Sequence, residues 1–300
     1  MKKANTFIYN FLDSIQSILK IVILSRRAGI LSKKENVDKC IILGNGPSFI
    51  HTYKKYRTEL MSLPTICVNH FAETEMYEDV KPQYYVVQST IFFLPDDDIP
   101  AHYAKARNHL FQTIIDRTKW EMEILVPVLG RKSKEFQRIL KENKHIKPLY
   151  YNDTGVEGFP WLMRLIYRKG WGIPRPHNVL IPSLMNTIKL GYRRIYITGA
   201  DHSWLGEIEV DENNLTLINQ KHFYDQEESK AQVMQDSKVR PRRLHEVLHK
   251  FYLSFRGYWD IKAYADKYGV SIYNCSETSL IDAFDRVPLS HSKTNMPDDL

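Results

Sequence analysis

Short apolar runs alternate with longer polar, helix-compatible stretches from residue 39 onward. Apolar runs of four or five residues are typical of strands buried on both faces of a parallel sheet. The pattern predicts strands at 40–43, 65–69, 84–88, 124–128, 194–198 and 270–274. It predicts helices at 132–144, 160–169, 179–190, 243–268 and 279–284. Strands that alternate with helices indicate right-handed crossovers, so we predict an α/β fold with a parallel sheet flanked by helices.

Residues 206–240 are polar and separate two compact regions of this pattern. A long polar stretch between elements predicts a small, mobile lid insertion. The polar tail from residue 289 is predicted to be disordered. We therefore expect an N-terminal amphipathic helical segment over 1–37, one domain with its lid over 38–288, and a disordered tail over 289–300.

Residues 6–24 carry apolar side chains at helical spacing. Polar residues interrupt the run, so it falls short of the roughly 20 nearly uncharged residues of a spanning helix. Arg26 and Arg27 follow where a signal peptide would have small residues for cleavage. Two interpretations stay open, namely an in-plane helix on an anionic membrane and a helix packed on the protein's own core.

The composition, with 43% hydrophobic and 26% charged residues among 300, is that of an ordinary globular protein. Cys40, Cys67 and Cys275 are widely spaced, which indicates buried free thiols in a reducing cytoplasm rather than disulfides or a cysteine zinc site. A net charge of +7 suits phosphate-bearing substrates or an anionic membrane. The basic residues form no recognisable nucleic-acid module, so nucleic acid is not predicted as a partner.

Glycine or polar residues follow three of the predicted strands, at 44–48, 69–70 and 199–202. Open parallel sheets bind ligands beyond the carboxyl ends of their strands, so these residues are candidates for a nucleotide site. Gly44 and Gly46 would let the backbone approach a ligand, and Ser48 would cap a helix whose N-terminus favours phosphate. The turn is neither GxGxxG nor a P-loop. Taken singly, each of these residues is more often structural than functional.

Two polar types in this set have chemistry of their own. The amides of Asn45 and Asn69 can read a base, a ribose or a phosphate without adding charge. Asp201 has three possible roles, which are binding a sugar hydroxyl, binding a metal ion and capping a turn.

Four segments, in their order along the chain, resemble bacterial sialyltransferases of glycosyltransferase family 42 and the related MptE-like domains. These segments are GNGPS at 44–48, VNHF at 68–71, LGYRRIYITGAD at 190–201 and DIKAYADKYGVSIYNCSETSLIDAF at 260–284. The similarity is strongest over 39–75 and 185–285. The resemblance implies a Rossmann-like domain with a lid, a CMP-sugar donor, inverting transfer, and neither metal nor cofactor. Asn45 and Asn69 match the family's donor-binding asparagines.

The sequence departs from that family at its general base. The family's histidine lies just before the segment that matches 260–263, where this chain has Phe255, Arg256 and Gly257. The donor asparagine expected after the third strand is replaced by Gln88. The donor sugar is therefore not fixed as sialic acid.

Sugar transfer needs a base with a pKa near neutrality and a partner for the departing phosphate. Histidine suits the first role, and the candidates are His249, His245 and His222. The candidates for the second role are Tyr224, Arg242, Arg243 and the turn at 44–48. The predicted donor-binding residues are Gly44, Asn45, Gly46, Pro47, Ser48, Asn69, Gln88, Gly199, Asp201, His202 and Tyr224.

Three other functions compete with this prediction. Residues 245–249 match the zinc motif HExxH, although no third ligand follows at the usual spacing and the basic stretch 240–243 opposes a cation. An MptE-like pyrophosphokinase would need ATP and Mg²⁺, and 96–98 is the one dense acidic cluster. The third alternative is a non-catalytic membrane-surface binding module.

The prediction from sequence is a metal-independent glycosyltransferase that moves a sugar, sialic acid or a related one, from a CMP-activated donor. The expected acceptor is a cell-surface glycan or a lipid-linked glycan. The expected location is the cytoplasm, and peripheral attachment to the inner face of the plasma membrane follows only under the interpretation in which residues 6–24 lie on a membrane.

Overall fold

The computed structural model describes residues 2–26, 28, 37–219, 223, 231–235 and 240–293. Its centre is an eight-stranded sheet in which every neighbouring pair is parallel. The strands are β1 (Lys39–Leu43), β2 (Thr65–Val68), β3 (Tyr84–Val86), β4 (Met122–Pro127), β5 (Ile146–Tyr151), β6 (Arg194–Thr198), β10 (Ser271–Asn274) and β11 (Asp285–Arg286). Their order across the sheet is β11-β10-β6-β1-β2-β3-β4-β5. The predicted fold class is thus confirmed.

Helices cover both faces of this sheet. The α-helices among the described residues are α1 (Lys2–Leu24), α2 (Phe49–Lys55), α3 (Arg57–Met61), α4 (Tyr77–Val80), α5 (Ala101–Arg117), α6 (Lys134–Glu142), α7 (Pro160–Lys169), α8 (Leu180–Leu190) and α9 (Leu244–Lys267). Each central strand supplies both apolar layers, because successive side chains point to opposite faces. Ile42 packs in the layer under α7, α8 and α9, whereas Ile41 and Leu43 pack in the layer under α2, α5 and α6. This arrangement explains why the strands are apolar at every position.

The order in which successive strands are added to the sheet reverses at the pair β1 and β6. Strands β1 to β5 succeed one another toward one edge, and β6 then returns to the other side of β1. Cys40 of β1 is paired with Ile195 of β6. Such a reversal is a topological switch point, where the loops after the two strands diverge and leave a crevice at the carboxyl edge.

The predicted insertion forms a small antiparallel sheet of β7 (Ile208–Val210), β8 (Thr216–Ile218) and β9 (Gln232–Val233). Ile218 and Met234 pack with Val247 and Phe251 of α9 in a separate apolar cluster. The insertion also contacts the end of β1, where the N–H of Phe223 donates to the carbonyl of Asn45 at 3.1 Å. The insertion therefore bridges α9 and the end of β1, and its mobility stays a prediction.

Two predicted features are wrong. Residues 279–284 form no helix. Instead, Ser279 Oγ donates to the carbonyl of Ala200 at 2.7 Å, and the N–H of Leu280 donates to the carbonyl of Asp201 at 2.9 Å. These bonds hold the segment against the end of β6 and leave it no helical hydrogen bonds. The predicted start of the disordered tail at residue 289 is also wrong, since residues 289–293 form a 3-10 helix in which Leu289 is fully buried. Residues 294–300 lie outside the described part.

Other sequence predictions agree with the structure or were incomplete. All six predicted strands and the helices at 132–144, 160–169, 179–190 and 243–268 are present, and the three cysteines are free and buried. Strand β5 and helix α5 were not predicted. Helix α1 is present. By length and composition alone, its Thr6–Leu24 part is apolar enough to cross a membrane, whereas the sequence analysis expected this segment to be too polar for a spanning helix.

Candidate functional site

A cavity of about 390 Å³ lies at the switch point, beyond the carboxyl ends of β1, β2, β3 and β6. The start of α8 and the middle of α9 close it on the opposite side. Nine residues from the predicted donor-binding set line it together: Gly44, Asn45, Gly46, Pro47, Asn69, Gln88, Gly199, Asp201 and His202. The three strand ends thus converge as predicted, because parallel strands share one polarity. Their role in donor binding stays a prediction.

The glycines at this edge are required by backbone packing. A Cβ on Gly44 would lie 2.4 Å from the carbonyl oxygen of Gly199, and a Cβ on Gly199 would lie 2.3 Å from that of Gly44. Gly199 also has φ +63°, a region that other residues rarely adopt. A Cβ on Gly46 would overlap the carboxylate of Asp201. Close approach of two strand ends, rather than approach to a ligand, therefore accounts for these residues.

Asp201 holds the floor of the cavity. It is 3% exposed. Its Oδ2 accepts the N–H of Ser48 at 3.3 Å, and its Oδ1 accepts the hydroxyl of Thr278 at 2.7 Å. Among the sequence alternatives for Asp201, these contacts match the capping of a turn, and they leave the carboxylate occupied.

The amide of Asn45 has one buried atom without a hydrogen-bond partner. Its Nδ2 donates to the carbonyl of Val68 at 3.2 Å, which fixes the orientation of the amide. Its Oδ1 is buried and has no hydrogen-bond partner. Since an unpaired buried acceptor costs about 1–3 kcal/mol, this atom is a candidate acceptor for a ligand N–H or O–H.

Asn69 and Gln88 hold the ends of β2 and β3 together. Asn69 has a left-handed backbone with φ 45°, and its Oδ1 accepts the N–H of Gln88 at 3.0 Å. The side chain of Gln88 accepts a short hydrogen bond from the hydroxyl of Tyr151 and points its Nε2 toward Asp153. Both side chains thus have structural partners at the cavity wall.

A polar network stands at the start of α8. Asn178 Oδ1 accepts the N–H groups of Leu180 and Ile181, at 3.0 and 3.3 Å, and the hydroxyl of Tyr258 at 3.1 Å. Its Nδ2 is buried without a partner. His202 Nε2 bonds the same hydroxyl of Tyr258 at 2.5 Å. Asn178 therefore caps α8 and keeps one buried donor unpaired.

Burial keeps two histidines of the cavity uncharged near neutral pH. It lowers the pKa of His202 to about 3. Burial, together with the nearby cations of Lys250 and Arg175, lowers the pKa of His177 to about 4. His177 Nε2 is buried without a hydrogen-bond partner. With Asn45 Oδ1 and Asn178 Nδ2, this is the third unpaired buried polar atom among the described lining residues.

Lys250 is the cation of the cavity. Burial, and then the positive charge of Arg242, lower its pKa from the usual 10.5. Among the described residues that line the cavity, Asp201 is the one carboxylate, and its two oxygens are already bonded. Lys250 is therefore the one lining cation in the described part of the chain that could pair with an anionic ligand, while Asp201 is held by Ser48 and Thr278.

His70 lines the cavity and is paired with a carboxylate. Its Nδ1 lies 2.8 Å from Glu73 Oε2. When Nδ1 carries the proton toward Glu73, Nε2 is left as an acceptor, which is the arrangement of an oriented general base.

Other predicted site residues lie elsewhere. Ser48 is buried behind the turn and does not line the cavity. His245 and His249 are exposed on α9 and are not among the lining residues. His222 and Tyr224 lie outside the described residues. Arg242 donates to the carbonyl of Gln235.

The residues of the competing functions have structural partners. Glu246 of the HExxH motif accepts the N–H of Arg243 at 2.8 Å and pairs with Arg240 at 2.7 Å, so its carboxylate stabilises the start of α9. Asp96 forms an ion pair with the buried Arg107, and the cluster 96–98 does not line the cavity. Within the described ranges, no three His, Cys, Asp or Glu side chains are grouped so as to hold a metal ion.

Sequence reasoning missed the residues that come from the helices. Asn178 had a recognisable signal, because an asparagine before an apolar helical run is typical of an N-cap. His177 and Lys250 had none, since only the packing of α8 and α9 brings them to the sheet edge. His70 was noted in sequence only as a neighbour of Asn69.

Comparisons with known proteins give a distant structural similarity. No protein-family model matches the chain, and no curated protein matches its sequence. The solved structure of the MAf glycosyltransferase from Magnetospirillum magneticum AMB-1 is similar with a TM-score of 0.48 and 10% identity. The match covers 93% of this chain, which spans 39% of the length of that protein. Similarity at this level does not bear on activity.

Proposed function

We propose that this chain is a glycosyltransferase that binds a nucleotide-activated sugar in the switch-point cavity. The observation that carries the proposal is the position and charge of this cavity. It lies where open α/β sheets bind nucleotides, and Lys250 supplies a cation, while the one carboxylate among the described lining residues, Asp201, is bonded to Ser48 and Thr278. Both features suit the phosphate of an activated sugar.

The unpaired polar atoms support a nucleotide rather than a bare anion. Asn45 Oδ1 is an acceptor and Asn178 Nδ2 is a donor, and both are buried at the cavity wall. A base amino group or a ribose hydroxyl would satisfy the first, and a phosphate or carbonyl oxygen would satisfy the second. We propose CMP as the nucleotide because the ordered motifs of the chain resemble family 42 sialyltransferases.

Departure of the phosphate is proposed to depend on Lys250 without a metal ion. A charge-assisted hydrogen bond from an ammonium group stabilises charge that develops on a leaving phosphate. The positive end of the α8 dipole adds to this effect, although Asn178 already accepts from two of its first N–H groups.

The acceptor base is proposed to be His70. His202 and His177 also line the cavity, but the low pKa values of both make them weak bases. Glu73 would orient the ring of His70 and stabilise the imidazolium that forms when Nε2 takes the proton of the acceptor hydroxyl. His245 and His249 stay as alternatives that would need α9 to move, and His222 stays as a further alternative. The proposed acceptor is a glycan or a lipid-linked glycan.

A thermal-shift panel of CMP, UDP, GDP and ATP, each with and without Mg²⁺, tests the proposal. A ligand at 100 times its Kd adds about 2.7 kcal/mol of stability. We expect CMP or a CMP-sugar to raise the melting temperature without added metal. A rise with ATP and Mg²⁺ alone would favour the pyrophosphokinase instead.

A further inference from the structure

Helix α1 turns its polar side to the protein and its apolar side outward. Its buried side chains among residues 6–24 are Ser14 and Ser17. Eleven large apolar side chains of the helix are exposed: Phe7, Ile8, Tyr9, Phe11, Leu12, Ile15, Ile18, Leu19, Val22, Ile23 and Leu24. A surface helix in water has the reverse arrangement. A continuous apolar patch of this size is typical of an interaction surface.

The serine side of α1 is fitted to the loop between β5 and α7. Ser17 Oγ donates to the carbonyl of Glu157 at 2.7 Å and accepts its N–H at 2.8 Å. Ser14 Oγ accepts the N–H of Phe159 at 3.0 Å. A Cβ on Gly158 would lie 2.2 Å from Ser14 Oγ, so the glycine is what permits this contact.

A further contact near the C-terminal end of α1 fixes the direction of the helix. Ser25 Oγ donates to the carbonyl of Trp171 at 2.5 Å. The helix is thus held against the protein from Ser14 to Ser25. A helix attached along its side cannot cross a bilayer in that state, but it can lie in the plane of one.

Aromatic and basic side chains border the apolar patch. The ring of Phe7 is 5.3 Å from the ring of Phe159, which is in turn stacked with the ring of Trp161. Trp161 is 61% exposed. Trp171, beside Ser25, is 46% exposed. Tryptophan favours the boundary between headgroups and acyl chains.

The exposed cations near these aromatic residues are Arg26, Arg168 and Lys169. They suit anionic headgroups, which attract basic residues at a membrane surface. A symmetric contact between two copies of the chain would bring these same cations together, which disfavours a second copy as the occupant.

We propose that α1, Trp161 and Trp171 form a docking surface for an anionic lipid bilayer. The helix lies in the membrane plane, with its apolar side chains at the level where headgroups meet acyl chains and its serine side on the protein. This proposal is independent of the proposed function, since it requires neither a nucleotide nor turnover.

Flotation of the full chain with vesicles tests the surface. We expect binding to phosphatidylcholine vesicles that contain phosphatidylglycerol, weaker binding to pure phosphatidylcholine, and release by alkaline carbonate. The variant Leu19→Ser/Val22→Ser should bind at least about tenfold more weakly, because it removes two apolar side chains from the bilayer contact. The matched control is Met61→Ser/Val210→Ser, two exposed apolar residues elsewhere, which should bind like the wild type.

Four results would overturn the proposal. The first would be a wild type that floats with neither vesicle. The second would be a Leu19→Ser/Val22→Ser variant that floats as well as the wild type. Resistance to alkaline carbonate would show a spanning helix instead. A dimer in sedimentation that this variant dissociates, with vesicle binding unchanged, would show that a second copy covers α1.

Discussion

At the scale of single residues, the surroundings of each ring separate the histidines of the cavity into different roles. Burial lowers the pKa of His202, and burial beside the cations of Lys250 and Arg175 lowers that of His177, so both are neutral near pH 7. His70 instead faces a carboxylate at 2.8 Å. The environment of each ring, rather than its place in a motif, therefore decides which one can take up a proton.

Replacement of His70 tests its role as the base. His70→Ala should lower kcat by about 10²–10⁴-fold and leave donor affinity nearly unchanged, because the base acts on the acceptor. Glu73→Gln should cause a smaller loss of kcat, since it removes the orienting carboxylate only. The measurement is turnover of the CMP-sugar that stabilises the protein most.

His245→Ala and His249→Ala are the matched variants in that assay, since both side chains are exposed on α9. They should retain wild-type turnover. An inactive His249→Ala enzyme together with an active His70→Ala enzyme would assign the role of acceptor base to α9 instead.

The buried neutral histidines also predict how stability depends on pH. In the unfolded chain both titrate near pH 6.5, whereas in the folded protein the pKa of His177 is about 4 and that of His202 is about 3. Between these values the unfolded state binds more protons, so the free energy of unfolding falls as the pH drops below about 6.5.

We expect the melting temperature to decrease between pH 7 and pH 5, and His177→Asn to make this decrease smaller. His102→Asn, at an exposed site on α5, is the control and should leave the decrease unchanged. An identical pH dependence in wild type and His177→Asn would show that His177 is not held neutral by the fold.

At the scale of elements, the ends of β1 and β6 depend on each other's glycines. Gly199→Ala would combine a strained φ of +63° with a Cβ 2.3 Å from a backbone oxygen. It should lower the free energy of unfolding by more than about 2 kcal/mol. Gly206→Ala is the control, because no atom lies within 4 Å of the added Cβ. Urea unfolding measures both, and equal stability of the two variants would contradict the close packing of these strand ends.

Secondary-structure prediction failed where tertiary contacts override local pattern. The helix expected at 279–284 has helical spacing, but Ser279 and Leu280 bond the end of β6. Strand β5 contains Lys147 and Pro148, which hide it from an apolar pattern, and it lies at an edge of the sheet. The central strands were predictable because both of their faces are covered.

At the scale of the whole molecule, strand polarity made half of the site predictable. Parallel strands bring 44–47, 69 and 199–202 to one edge wherever their helices pack, so these residues could be placed together from sequence. His177, Asn178 and Lys250 reach the same cavity through the packing of α8 and α9. Periodicity reveals which side of a helix is apolar, but not which polar residue on it faces a distant strand end.

The central claim is that the switch-point cavity binds the phosphate of a nucleotide. Calorimetric titration of CMP and of cytidine into the wild type, Lys250→Met and Lys262→Met tests it most directly. Lys262 lies on the same helix and pairs with Asp266 away from the cavity. We expect Lys250→Met to weaken CMP binding by about 10–100-fold, as for loss of a charge-assisted hydrogen bond, and to leave cytidine binding unchanged. Lys262→Met should bind both ligands like the wild type, and equal CMP affinity in all three proteins, or no CMP binding at all, would contradict the account.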